Sequence, residues 1–366
     1  VKAVVLVGGE GTRLRPLTTT TPKPLLTIAG QPFLERQLTW LARHGVTDVV
    51  LALGYLPDAF LAHFPDGEFA GIRLSYAVEP EPMGTAGGIR FAATAANIDE
   101  RFLVCNGDVL TTLDLSALVG FHVERGAEAT IHLTHVDDPS PFGVVPTFDD
   151  GEVKAFVEKP PRGSAPSHWI NAGTYVLEPS VLERIPDALT VSIERETFPR
   201  MLEERCRLFA HGTDDYWLDI GTPEKYLQAN SDTLRGAVGV PPLPGASEIA
   251  PGVWAENGYD LASDVSVVAP VLLGSACVIG RGARIENATV STGSVVGAGA
   301  VISGTVLLAG ARVEPGARVD ESIVGPGAVV DRRANVAGCS VVGPGAYVAE
   351  GTMLDGDRVE LSANVG

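Results

Sequence analysis

The last third of the chain repeats itself at a period that only a coiled parallel sheet can use. Val295, Val301, Leu307, Val313 and Val319 recur every six residues, and after one five-residue step Val324, Val330, Val336, Val342, Val348 and Leu354 do so again. Glycine or alanine fills many positions between them. A unit this short cannot close a core of its own. Successive units must stack, each turn laying its aliphatic side chain on the one before. The repeat predicts a parallel β-helix.

Upstream the texture is different. Lys2 to Val7 is an apolar run that ends in glycine. Gln31 to His44 reads as a helix, with Pro32 in its first turn, Leu34, Leu38 and Leu41 on one face and Gly45 at its stop. Asp48–Leu53 and Arg101–Asn106 read as strands, Gly84–Ala95 and Leu113–Glu124 as helices. This βαβ rhythm predicts a Rossmann-like α/β domain with a mainly parallel sheet, whose ligands sit beyond the carboxyl ends of the strands. A chain of 366 residues exceeds one ordinary domain. The Pro- and Gly-rich run 239–245 then marks a linker. The expected division is 1–235 for the α/β domain, 236–260 for the linker and 261–366 for the β-helix.

The net charge of −18 argues against nucleic acid or an anionic membrane as partner. The same charge makes the five lysines (Lys2, Lys23, Lys154, Lys159, Lys225) conspicuous where they fall in motifs. Cys105, Cys206, Cys277 and Cys339 form no CxxC pair and no metal spacing, and read as buried thiols in a reducing compartment. With neither a signal segment nor a long apolar span, the expectation is a cytoplasmic protein.

Candidate chemistry begins at the first strand. Leu6 and Val7 lead into Gly8-Gly9-Glu10-Gly11-Thr12-Arg13, with Pro22-Lys23-Pro24 soon after. Glycines let backbone N–H groups approach an anion, and successive N–H groups in such a turn form a concave anion site. Arg13, Arg15 and Lys23 add positive charge. The segment reads as a triphosphate grip. It lacks the Gly-Lys-Ser/Thr ending of a P-loop, and its glycines do not fit the dinucleotide spacing. Asn106-Gly107-Asp108 closes another strand, and places a carboxylate at a strand end where Mg²⁺ could be held together with phosphate oxygens. Glu79 to Gly88 forms a glycine-rich turn into a helix, where backbone can approach a flat base.

The joint run GGEGTRLRPLT and PKP resembles the signature of the sugar-nucleotide pyrophosphorylases, which join a nucleoside triphosphate to a sugar 1-phosphate. Its GEGTRLRPLT form is most similar to the mannose-1-phosphate guanylyltransferases. The six-residue period likewise resembles the left-handed β-helix of the hexapeptide-repeat family. Many members of that family are acyltransferases that use a histidine base. All seven histidines here precede the repeat, so a structural or oligomerising role is expected instead.

The resemblance implies roles for further residues. Leu6, Gly8, Gly9, Gly11, Thr12, Arg13 and Lys23 would bind nucleotide, with Glu79, Gly84, Thr85 and Ala86 near the base and Asn106, Gly107 and Asp108 completing the site. Tyr216-Trp217-Leu218-Asp219-Ile220-Gly221-Thr222-Pro223 matches the family's W-x-D-I-G-T-P element, making Asp219 the second Mg²⁺ ligand beside Asp108. In Phe156-Val157-Glu158-Lys159-Pro160, Glu158 would accept sugar hydroxyls and Lys159 would neutralise the sugar phosphate. Gly143, Asn171 and Gly173 would complete the sugar pocket.

The implied reaction is nucleotidyl transfer, with Arg13, Lys23, Lys159 and Asp108 as catalytic residues, GTP and mannose 1-phosphate as favoured substrates and a homo-oligomer built through the β-helix. Glucose 1-phosphate with ATP, UTP or dTTP, and cyclitol phosphates, remain open as substrates. So does a non-catalytic regulatory or scaffold subunit, although such relatives usually lose the charged residues retained here.

Overall fold

A computed structural model describes residues 1–187, 189–240 and 242–361. Pro241 of the expected linker and the last five positions of the expected β-helix lie outside them. The chain packs as two units that interleave in sequence: Val1–Gly9 with Leu34–Trp217, and Glu10–Phe33 with Leu218–Gly366.

The first unit is built on one mixed sheet. Phe102–Asn106, Lys2–Leu6, Asp48–Leu53 and Ile72–Val78 lie side by side and parallel. Lys2–Leu6, Asp48–Leu53 and Phe102–Asn106 are mostly buried and read as continuous apolar runs, as expected of central strands covered on both faces, whereas Ile72–Val78 alternates buried and exposed residues. The long strand Trp169–Leu177 joins antiparallel to Phe102–Asn106 and extends the sheet toward Gly143–Val144 and Val157–Glu158. Helices Gly84–Ala95 and Leu115–Arg125 follow the expected spans closely. The core includes Val4, Val50, Ile89, Phe102, Val104, Ile131, Tyr175 and Phe198.

The second unit contains the β-helix. Three rows of stacked aliphatics fill its interior. One runs Ile285, Ile302, Val319, Val336; another Val290, Leu307, Val324, Val342; the third Ile279, Val296, Val313, Val330, Val348. Burying each such side chain contributes about 1.5–3 kcal/mol, so the rows carry the stability of the stack. Val295 and Val301, expected in the interior, are only half-buried, and the core positions are Val296 and Ile302. The reason is that the five-residue step is not a single event. It recurs at 285–290, 302–307 and 319–324, so stacked residues stand 17 apart. One extra residue at the turn holding Gly338 and Cys339, both with positive φ, lengthens the next coil to 18. The parallel stack also starts earlier than expected. Val253–Ala255, in the expected linker, already pairs in parallel with Val271–Leu273.

Residues 10–33 pack within this second unit. A short hairpin pairs Thr27–Ile28 with Gln31–Pro32, so the expected helix starts at Phe33 and not at Gln31. The hairpin is held by helix Pro223–Leu234: Tyr226 donates its hydroxyl to the Thr27 carbonyl (2.5 Å), and the Ala29 N–H donates to Asn230 Oδ1 (2.7 Å). Asn230 also accepts from Thr289 of the β-helix (3.4 Å). Cys105 and Cys277 are buried, whereas Cys206 and Cys339 are partly exposed.

Candidate active site

In the first unit, three strand ends meet where the sequence places them. The Val7 N–H donates to Ala52 O (3.0 Å) and the Gly107 N–H to Leu6 O (2.8 Å). Gly8 lies so close to Gly54 that a Cβ on it would stand 3.3 Å from the Gly54 nitrogen. Leu6, Gly8, Gly9, Asn106, Gly107 and Asp108 therefore share the carboxyl edge of the parallel strands, the usual ligand edge of such folds. Gln37 donates Nε2 to Asn106 O (2.8 Å) and fixes the turn from behind.

Glu79 anchors the turn that enters helix Gly84–Ala95. Its Oε2 accepts the Met83 N–H (2.9 Å), and its Oε1 occupies the space where a side chain on Gly88 would begin. Burial pushes the Glu79 carboxyl above its ordinary range, and the Met83 hydrogen bond opposes that shift. Gly84 opens the helix with φ 71°. The Ala86 N–H donates to Val191 O (2.9 Å), and Thr85 Oγ1 donates to Glu194 (2.8 Å).

Gly143, Glu158, Lys159, Asn171 and Gly173 lie on or beside the antiparallel extension. Gly143 is paired with Glu158. Lys159 Nζ lies 3.7 Å from Glu158 Oε1, and Arg195 Nη2 approaches the same oxygen at 3.9 Å. Lys159 has φ 49°, a left-handed conformation that lysine rarely adopts and that is characteristic of functional turns. A register shift in Trp169–Leu177 between Asn171 and Tyr175 marks a bulge, the device that re-aims side chains beside active sites. There Asn171 Oδ1 accepts from the Gly173 N–H (3.0 Å). Gly173, φ 74°, lies against Asn106, whose Nδ2 would be 2.5 Å from a Cβ. Trp217 donates Nε1 to Ala172 O (2.9 Å) and packs edge-on against Phe142.

Gly11, Thr12, Arg13, Lys23 and Asp219 belong to the second unit. Gly11 takes φ 61°, and a Cβ there would stand 3.1 Å from both Lys23 Cβ and Thr18 Cγ2. Glycine therefore lets the turn close onto the stem of Lys23. Arg13 lies in a short 3₁₀ turn, Thr12–Leu14, anchored by buried Leu14. Its guanidinium presses on Gly221, two residues after Asp219: Nη2 would be 2.6 Å from a Cβ. Thr222 caps helix Pro223–Leu234 by accepting from the Lys225 N–H. Arg15, by contrast, is paired with Glu10 (2.9 Å).

Sequence reasoning missed Glu194, Arg195 and Tyr175. The first two sit in a π-turn, Ile193–Thr197, a rare element concentrated at functional sites. The available signal was Ser192 followed by Glu196. Ser192 Oγ accepts from the Arg195 N–H (3.2 Å) while Glu196 Oε1 accepts from the Ser192 N–H (2.9 Å), a capping box widened by one residue.

Among the described residues no cluster of three or more His, Cys, Asp or Glu could cage a metal. Single carboxylates such as Asp108 and Asp219 are the donor set expected of a divalent ion that takes its remaining ligands from phosphates and water. No helix among the described residues is long and apolar enough to cross a membrane.

Comparison with known proteins agrees with this geometry. The nucleotidyl transferase family model matches residues 2–236, and the model of the GMPPB C-terminal domain matches residues 267–364. Mannose-1-phosphate guanylyltransferase of Mycobacterium tuberculosis is 42% identical over 298 residues, 81% of this chain and 79% of that protein. Probable mannose-1-phosphate guanylyltransferase 1 of Oryza sativa is 38% identical over 303 residues, 81% of this chain and 82% of that protein. The crystal structure of HddC from Yersinia pseudotuberculosis complexed with GMP-PN is similar at 31% identity and TM-score 0.55, covering 63% of this chain and 98% of that one. Members of this family use nucleoside triphosphates, sugar phosphates and a divalent metal. A glycine-rich strand end, an Asp-bearing neighbouring strand end and a C-terminal parallel β-helix are thus joined in one chain, which belongs to the nucleotidyl transferase family.

Proposed function

We propose that the chain transfers the guanylyl group of GTP to mannose 1-phosphate, forming GDP-mannose and pyrophosphate. The observation that carries this reading is the 42% identity to a mannose-1-phosphate guanylyltransferase over 81% of the chain. A phosphate oxygen of the sugar 1-phosphate attacks the α-phosphorus of GTP, and the bond to the β-phosphate oxygen breaks. The nucleophile is already ionised, so the protein supplies alignment and charge rather than a base. Arg13 and Lys23 stabilise the charge that builds on pyrophosphate, and Lys159 holds the attacking phosphate. Gly8, Gly9, Gly11 and Thr12 offer backbone donors to the triphosphate. Thr85 and Ala86 face the base, and Glu158, Asn171 and Gly173 the sugar. Asp108 and Asp219 would hold Mg²⁺, which when bound supplies Lewis-acid charge to the phosphates.

We further propose a homo-oligomer through the β-helix. Val278, Val295, Val329 and Tyr347 share one outward ladder, interrupted by Arg312 between Val295 and Val329, on which Val278 is 41% and Tyr347 59% exposed. The four cysteines, unbridged in the structure, suit a reducing cytoplasm.

The test is a matrix of GTP, ATP, UTP, CTP and dTTP against mannose, glucose and galactose 1-phosphates with Mg²⁺, following pyrophosphate release. A dominant GTP–mannose signal is expected. Dominance of another pair overturns the substrate assignment. Silence throughout, from folded protein, overturns the substrate assignment in favour of a cyclitol phosphate acceptor or a non-catalytic regulatory subunit.

A further inference from the structure

Trp217 opens the sequence element that supplies Asp219, yet nothing said so far gives its indole a task. Its backbone is anchored first. The Tyr216 N–H donates to Thr112 Oγ1 (3.0 Å), and the Thr112 N–H donates to Tyr216 O (3.1 Å). The side chain then makes two contacts. The indole Nε1–H donates to Ala172 O (2.9 Å), and the ring packs edge-on against Phe142, with centroids 5.6 Å apart and planes at 78°. The first contact is to a fixed post. Ala172 is buried, and the pairing of Trp169–Leu177 with its neighbouring strands passes over Ala172 and Gly173 at the bulge. The carbonyl that the bulge takes out of the ladder finds its donor in the indole. Tryptophan suits the place because it combines a large apolar ring with an N–H that can only donate.

The second contact leads to Lys159. Phe142 closes a turn, its N–H on Pro139 O (3.0 Å), and its own carbonyl accepts the Lys159 N–H (3.0 Å). Gly143 and Val144 then pair with Glu158 and Val157. Lys159 needs such a hold. Its φ of 49° is unfavourable for an L-residue, and the proline that follows biases residue 159 toward extended backbone. Released, the backbone would turn toward that region and carry Nζ away from Glu158 Oε1, from which it stands 3.7 Å in the structure. Phe142 is only half-buried, and Trp217 is its one aromatic partner among the described residues. The bonds and contacts therefore run without a break from the Ala172 carbonyl through Trp217 and Phe142 to the Lys159 backbone.

We propose that Trp217 is a positioning residue for the sugar-phosphate end of the reaction. Anchored on Ala172, it holds Phe142, and through the Phe142 carbonyl it keeps Lys159 in the left-handed conformation from which its ammonium meets the attacking phosphate. This rests on the assignment of Lys159 to the sugar phosphate made above. Trp217 and Phe142 touch no substrate in this scheme, and act only through Lys159.

The test is steady-state kinetics on the full chain with Mg²⁺, using GTP and mannose 1-phosphate or whichever pair dominates the substrate matrix. Trp217→Phe keeps a ring and removes the donor to Ala172. Phe142→Leu keeps the carbonyl and removes the ring contact. Each is expected to raise the KM for sugar phosphate about threefold to tenfold, the equivalent of one hydrogen bond or aromatic contact, while the KM for nucleotide changes less than about twofold. A double-mutant cycle separates positioning from direct contact. In a Lys159→Ala background either substitution is expected to add nothing further, because the group being positioned is gone. Penalties that multiply in the double variants mean that the rings meet the sugar themselves, and overturn the proposal. An equal rise in both KM values, or no rise in either variant, overturns it too. Should Trp217→Phe fail to fold by circular dichroism, Phe142→Leu decides alone. Lys159→Ala with a wild-type KM for sugar phosphate overturns the assignment beneath the proposal. That outcome is distinct from a Lys159→Ala that raises KM while Trp217→Phe and Phe142→Leu do not, which overturns the positioning alone. A chain silent with every pair removes the reaction on which both rest.

Discussion

Replacing Gly84 by alanine tests the base-side turn with a single methyl group. The substitution is unfavourable for two separable reasons. Gly84 has φ 71°, and holding an L-residue in the left-handed region costs about 1–2 kcal/mol. The new Cβ would also stand 2.6 Å from Val191 O, 3.0 Å from its carbonyl carbon and 3.1 Å from its nitrogen. All three are backbone atoms, and the segment is clamped by Val191 N–H to Met83 O and Ala86 N–H to Val191 O, both 2.9 Å. Relief requires parting these two bonds, at about 1 kcal/mol each. Gly84→Ala should therefore lose roughly 3–4 kcal/mol in urea unfolding of the first unit, and the KM for nucleotide should rise while that for sugar phosphate changes less. Gly120, inside helix Leu115–Arg125, is the control, because a Cβ there meets nothing within 4 Å. Gly120→Ala should gain about 0.5–1 kcal/mol with kinetics unchanged. Gly84→Ala with wild-type stability and wild-type KM would refute the argument, and so would two variants that shift stability in the same direction.

Arg13→Ala should cut turnover about a hundredfold, as for loss of one preorganised charge donor, with the melting temperature unchanged because Arg13 is exposed; near-normal kcat would remove it from the mechanism. Chelation should abolish pyrophosphate release and added Mg²⁺ restore it, while Asp108→Asn should raise the Mg²⁺ concentration needed for half-maximal rate. Burial holds His132 near a pKa of about 3, against its ordinary 6.5. Its neutral form is the folded one, so its contribution to stability is complete above about pH 6.5 and is lost as pH falls toward 3, by roughly 2 kcal/mol at pH 5. His132→Leu should flatten that part of the stability–pH curve relative to wild type, and curves of equal slope would show that His132 is not the group responsible.

Three strands, Lys2–Leu6, Asp48–Leu53 and Phe102–Asn106, were legible because each is a nearly unbroken apolar run, while Ile72–Val78, which alternates, was not read. Asp48–Leu53 and Gly84–Ala95 have the bounds their residues suggest. Leu34, Leu38 and Leu41 are all fully buried, as one face of a helix should be. Elsewhere tertiary structure prevailed over local pattern. Pro32 suits a first helical turn, but the hairpin with Thr27 claims it. In the β-helix, valine stands at inward and outward positions alike, so Val301 was indistinguishable from the core residue Ile302 until the five-residue steps were placed. The site divides the same way. Contiguous motifs let the sequence propose residues, whereas Glu194 bonds Thr85 across 109 residues and nothing local marks it.

The packing of residues 10–33 has a consequence for how proteins of this kind can be recombined. The segment bearing Arg13 and Lys23 is tied to Tyr226 and Asn230 and, through Asn230, to Thr289 of the β-helix; Gly343 of a late coil abuts Pro16. The two ends of the gene thus encode one folded body. A crossover between relatives in the 239–245 run, the most inviting breakpoint by composition, would separate partners that meet in three dimensions. Chimeras that exchange 10–33 and 218–366 together keep those partners matched, so descent should move these stretches as a linked pair, with substitutions at Pro16 or Ala29 answered by changes two hundred or more residues away.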